Sequence, residues 1–140
     1  MTASNPVSLR IPADVRAALT ETARRSGRDF SSVANEMLGE AVRMRRIPGI
    51  TFADGPAGRR ARIAGTGIDV FEVARAYDAL GRDRAQLAGA YHWLTDQQLR
   101  AALAYAEAYP EEIESRLQRE DEQTPEAVWT AYPFTRPDAP

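Results

Sequence analysis

Val7-Ser8-Leu9-Arg10-Ile11-Pro12 is the stretch that decides how the rest of the chain is read. Apolar and polar residues alternate through it. In an extended conformation Val7, Leu9 and Ile11 therefore share one face, and Ser8 and Arg10 share the other. Roughly thirty residues of helical pattern follow, with no second strand nearby to satisfy the N–H and C=O groups of this one. A lone strand of about five residues is not stable in water. The same strand of a second copy, running antiparallel across a two-fold axis, would complete the ladder, so the stretch predicts a homodimer or a higher even oligomer.

The two helices behind the strand point the same way. Pro12 suits the start of a helix because its φ is already fixed, and Ala13 to Ser26 reads as one, with Val15, Ala18, Leu19, Thr22 and Ala23 along one side. Gly27 ends it, since glycine takes the left-handed conformation past a helix end without a Cβ penalty. Asp29 caps a second helix that runs to about Arg46. Its apolar stripe is Phe30, Val33, Ala34, Met37, Leu38, Ala41 and Val42 at i, i+3, i+4, i+7 spacing. One strand face and two short stripes are too little core for about 45 residues to fold alone. The dimer core is expected to comprise Val7, Leu9, Ile11, Val33 and Met37.

Strand, Pro12, helix, Gly27, polar cap and helix together resemble the ribbon-helix-helix DNA-binding fold of the Arc, MetJ and CopG repressors and of many bacterial antitoxins. The resemblance covers about 40 residues and lies in pattern more than in invariant positions. It implies that the paired strands enter the major groove of double-stranded operator DNA, with Ser8 and Arg10 reading base edges; Arg10 can reach guanine O6 and N7 with both nitrogens. Pro6 falls where a further reader often sits and offers no side-chain hydrogen bond. The resemblance also implies a DNA phosphate at the start of the second helix, held by Arg28, Ser31 and Ser32. Asp29 competes for the same amides.

Residues 1–47 are thus expected to form the dimerisation and DNA-binding domain. Pro48-Gly49 marks a boundary after the charged run Arg43-Met44-Arg45-Arg46. Residues 48–108 read as two short extended pieces, Ile50-Thr51-Phe52 and Ala61-Arg62-Ile63, separated by the turn-rich Asp54-Gly55-Pro56-Ala57-Gly58. Helices follow from about Asp69 to Leu80, from Asp83 to Tyr91, and from Thr95 onward, where Thr95-Asp96-Gln97-Gln98 is a capping box. Three short helices behind a hairpin read as a helix-turn-helix-like domain. This stretch resembles a small domain of uncharacterised function found in bacterial proteins assigned as VapB-type antitoxins. Gly58-Arg59, Gly65-Thr66, Tyr91, Leu94-Thr95 and Ala101-Ala102-Leu103-Ala104-Tyr105-Ala106 carry the likeness. The chain departs from that pattern at Gly67, where arginine is usual, and at Arg60, where proline is usual.

Residues 109–140 read as an acidic helix from Pro110 to about Gln123, a short turn restarting at Thr124, and an extended tail bearing Trp129, Tyr132, Phe134 and Arg136. Disordered tails are poor in aromatics, so this segment is expected to order against its own body or a partner. The VapB likeness implies that the partner is a toxin, a ribonuclease of the PIN-domain type. Its groove would take Trp129, Tyr132 and Phe134, and Arg136 would face its acidic metal site.

Charge obeys the same division. All 18 basic residues are arginine; residues 1–50 hold eight against five acids, and residues 109–140 hold three against eight, so the head is basic and the tail acidic. No cysteine and a single histidine, His92, leave no cysteine-based zinc site and little scope for His-dependent catalysis. His92 beside Trp93 reads as a packed aromatic pair rather than a ligand. Glycines 55 to 67 fit neither the Walker nor the dinucleotide pattern. No apolar run reaches about eighteen residues, and the first residues lack a secretory signal, so the expected location is the cytoplasm, away from membranes. The expected fold class is mainly α: a ribbon-helix-helix head with a shared dimer strand, then the hairpin and helix-turn-helix-like domain, then the tail. The expected function is that of a non-enzymatic antitoxin without cofactors, which represses its own operator and neutralises a toxin. A stand-alone repressor with no toxin is the alternative.

Overall fold

A computed structural model describes residues 5–55 and 58–137. Among them the chain is mainly helical, with one small hairpin. Its elements are α1 (Ala13–Ser26), α2 (Phe30–Arg46), β1 (Ile50–Ala53), β2 (Arg60–Ile63), α3 (Val70–Ala79), α4 (Arg84–Ala90), α5 (Asp96–Ala108), α6 (Pro110–Glu122) and α7 (Pro125–Ala131), and then a 3-10 turn at Pro133–Thr135. The chain divides into two compact units between Val42 and Arg43, so the last turn of α2 belongs to the second unit. No helix among the described residues is long and apolar enough to cross a membrane.

The first unit is a helical corner. Gly27 adopts φ 65° and donates its N–H to the Ala23 carbonyl, which stops α1. Asp29 Oδ1 then accepts the Ser32 N–H at 2.6 Å and starts α2. Inside the corner Leu19, Ala23 and Val33 are buried, with Ile11, Phe30 and Ala34 packed against them. Residues 5–12 carry no regular secondary structure in the single chain, and Val7 and Leu9 are 86% and 67% exposed.

The second unit begins with the antiparallel pair β1–β2, in register from Ile50 opposite Ile63 to Ala53 opposite Arg60. Alternation along β2 turns Ala61 and Ile63 into the core and leaves Arg60 and Arg62 together on the other face. Two apolar clusters fill the space between the hairpin and the helices. One gathers Ile47, Ile50, Ala61, Val70, Phe71, Ala101, Tyr105 and Ile113. The other gathers Ile63, Val73, Leu87, Leu94, Leu99 and Ala102. Packing is closest between α3 and α5, with α6 laid against both. Gly49, at φ 101°, lets the chain pass where a Cβ would stand 3.4 Å from that of Ala101.

Local signals set the helix ends here. Asp83 accepts the N–H groups of Ala85 and Gln86, and Thr95 and Gln98 form the expected reciprocal capping box, at 3.1 and 2.8 Å. The five residues from Tyr91 to Thr95 turn α4 into α5. After α6 the chain departs from the extended tail read from sequence. Thr124 Oγ1 accepts the Ala127 N–H at 3.1 Å and Pro125 occupies the first turn, so residues 125–131 coil into α7. Thr-Pro-Glu is a complete helix start, and its signal outweighs the prolines further on.

Candidate nucleic-acid and partner interfaces

Ser8 and Arg10 are both exposed, in the segment that precedes α1. The expected dimer-core residues fall into two groups. Ile11 and Val33 pack in the helical corner, whereas Val7, Leu9 and Met37 stay open, Met37 at 42% exposure. Leu38 at 53% and Val42 at 48% extend the open apolar stripe along α2.

At the α1–α2 corner the fold brings Arg28, Ser31 and Ser32 together around Asp29. The capping bond occupies the Ser32 amide. Hydrogen bonds from the Ser32 amide and hydroxyl hold the Asp29 carboxyl below the usual carboxylate range, with a smaller attraction from Arg28. Arg28 itself bonds Glu36 at 3.0 Å and the Ser32 carbonyl at 3.4 Å. An incoming phosphate would therefore compete with Asp29 for the helix N-terminus and with Glu36 for the arginine. Ser31 and Ser32 are exposed.

In the tail, Tyr132 and Phe134 meet edge to face at 6.1 Å, and Arg136 lies over the Trp129 ring at 6.0 Å. Tyr132 is 57% and Phe134 79% exposed, so two of the aromatics expected to anchor a partner are presented outward. His92 and Trp93 form a perpendicular pair at 5.1 Å, with Trp93 59% exposed.

Three features of the second unit escape sequence reasoning. Asp69, only 6% exposed, receives both β2 arginines: Arg60 Nε at 2.6 Å and Arg62 Nε at 3.2 Å. The Arg60 guanidinium lies against Gly55, leaving no room for a Cβ there. The alternation Arg60-Ala61-Arg62-Ile63 pairs the two cations on one face, but nothing in it identifies Asp69 as their acceptor. Tyr105, fully buried, donates its hydroxyl to Glu112 Oε2 at 2.6 Å, and Arg43 reaches the same oxygen at 3.4 Å while lying over the Tyr109 ring. Burial and then the Glu112 carboxylate push the Tyr105 hydroxyl well above its ordinary pKa, so it stays a donor. The third feature is a groove of about 630 Å³ bordered by α3, α4, α5 and α6. Ala74, Tyr77, Leu103, Ala106, Ile113 and Leu117 supply apolar surface; Asp78, Arg82, Arg84, Glu107 and Glu114 supply charge, with Pro110 at one edge.

Among the described residues no three His, Asp or Glu side chains gather where they could hold a metal ion. No curated protein and no solved structure matches the chain. Residues 50–106, the hairpin with α3, α4 and most of α5, are similar to a family described as a protein of unknown function (DUF433).

Proposed function

We propose that the chain is an antitoxin that represses its own operator as a ribbon-helix-helix dimer and neutralises a toxin through its C-terminal region. The observation that carries the reading is the division of apolar residues in the head. Leu19, Ala23 and Val33 are buried within one chain, while Val7, Leu9, Met37, Leu38 and Val42 are left to water. Such an apolar set on one segment and one helix marks an interaction surface. Pairing of residues 7–11 between two copies would cover Val7 and Leu9 and turn Ser8 and Arg10 outward to the major groove.

Arg28, Ser31 and Ser32 would add phosphate contacts, weakened by Asp29. The exposed Tyr132 and Phe134, with Trp129 and Arg136 beside them, would hold a PIN-type ribonuclease in the cytoplasm. No step calls for catalysis or a cofactor. Sedimentation and gel-shift measurements on DNA from upstream of the chain's own gene test the reading together. A dimer that shifts this DNA in the presence of excess random duplex is expected. A monomer, or a shift abolished by random duplex, overturns it.

A further inference from the structure

We propose that a small basic pocket between β2 and α6 binds one phosphate dianion, either the free ion or the terminal group of a phosphomonoester. Four guanidiniums border it. Arg59 and Arg60 come from the chain entering β2, and Arg116 and Arg119 from α6, where their spacing sets them on one face. The cavity among them measures about 20 Å³, which admits one small group and excludes a sugar or a base. Phe71 and Ile113 give it an apolar wall.

Like charges gathered this way repel one another, and the acids close by offset only part of that repulsion. Arg119 is exposed and makes no ion pair among the described residues. Arg59 meets Asp54 at 3.2 Å, but that carboxylate is 88% exposed, and such a pair contributes little. The two inner arginines are fixed in place. Their side chains are 16% and 9% exposed; Asp69 stands 2.6 Å from Arg60 Nε, and Glu120 stands 2.9 Å from Arg116 Nη2. The Arg116 guanidinium also lies over the Phe71 ring at 5.1 Å. A guanidinium carries five N–H donors, more than one carboxylate takes up. Both Nε atoms are buried and, despite these neighbours, make no aligned hydrogen bond among the described residues. Glu112, the only acid among the described residues bordering the pocket, is drawn elsewhere: its Oε2 accepts from Tyr105 at 2.6 Å and faces Arg43 at 3.4 Å. Donors arriving from two elements match the oxygens of a tetrahedral dianion better than the flat pair of a carboxylate. All of these residues belong to the second unit, so the inference stands whether or not the head binds an operator.

Calorimetric titration of the full-length protein with inorganic phosphate tests the proposal. It is run at about pH 8, above the second phosphate pKa of about 6, with chloride holding the ionic strength constant. Saturable binding of one phosphate per chain is expected. Arg119→Gln removes a donor on which no ion pair depends, and should weaken binding about tenfold, the loss of one charged hydrogen-bonding group. Arg100→Gln, on α5, is the control and should bind like the parent. Methyl phosphate identifies the source: tighter binding than inorganic phosphate assigns the pocket to a phosphomonoester, weaker binding to the free ion, and either supports the proposal. Dimethyl phosphate, a monoanion, should bind about tenfold more weakly than phosphate or worse. Equal binding of the monoanion, no saturable binding of phosphate, or an unchanged constant in Arg119→Gln overturns the proposal. Phosphate binding lost in Arg28→Gln and kept in Arg119→Gln would put the ion at the start of α2, which overturns it too and leaves the reading of the head standing.

Discussion

Individual side chains in the head have separable jobs. Arg10 is exposed and has no part in the helical corner, so Arg10→Ala is expected to leave the fold and the dimer intact. On the proposed function it weakens operator binding by about 1–3 kcal/mol, measured as the shift in half-saturation of a gel-shift series. Asp29 supports the fold and, on the same reading, opposes that binding. Its carboxyl is held below the usual carboxylate range, so the stabilisation it gives is complete above that range and disappears as pH falls through the lowered folded value. Asp29→Asn keeps an acceptor at the cap but removes the titration. Its thermal midpoint should therefore lie below that of the parent at pH 7 and converge with it in strong acid, monitored by circular dichroism. The same variant should bind duplex DNA more tightly at low salt, because one negative charge leaves the helix N-terminus. In the second unit Tyr105→Phe removes the donor that Glu112 accepts from the core. A loss of about 1.5–3 kcal/mol in urea unfolding is expected, the range for hydrogen bonds to charged groups.

Whole elements differ in how plainly the sequence announces them. α1, α2 and α5 are legible because apolar spacing and cap residues agree at the same positions: Gly27, Asp29, and the Thr95–Gln98 box. The hairpin is legible from two short apolar runs around a glycine-rich turn. α7 is legible only as a turn restarting at Thr124, because the prolines and aromatics after it read as an extended tail and hide how far the Thr124-Pro125-Glu126 start carries. Residues 7–11 are a different case. Their alternation is plain, yet the ladder that would make them a strand needs a second chain. Leu9→Glu belongs to this scale. On the proposed function it sets a carboxylate inside the shared ribbon and should reduce the protein to monomers by sedimentation, with helicity largely retained because Leu9 is 67% exposed in the single chain. An unaltered dimer would place the interface elsewhere.

The molecule as a whole is two compact units, the second ending in the acidic α6, the short α7 and a 3-10 turn. On the proposed function, removing residues 126–140 should leave operator binding in a gel shift while ending protection of growth against a co-expressed toxin. Retained protection would move the toxin contact into residues 43–125, and the absence of any toxin in the operon would favour a stand-alone repressor. Local features were written in the residues alone: helix and strand periods, caps, the left-handed Gly27, the basic head and acidic tail. Each depends on residues within a turn or two of one another, where short-range sterics and hydrogen bonding dominate. Which side chains meet across elements came only with the packed fold. Asp69 between Arg60 and Arg62, Glu112 shared by Tyr105 and Arg43, and the groove bordered by α3, α4, α5 and α6 all join side chains from different elements. One-dimensional patterning carries no record of such partners, because many charges of either sign could meet until packing of the apolar faces fixes which of them do.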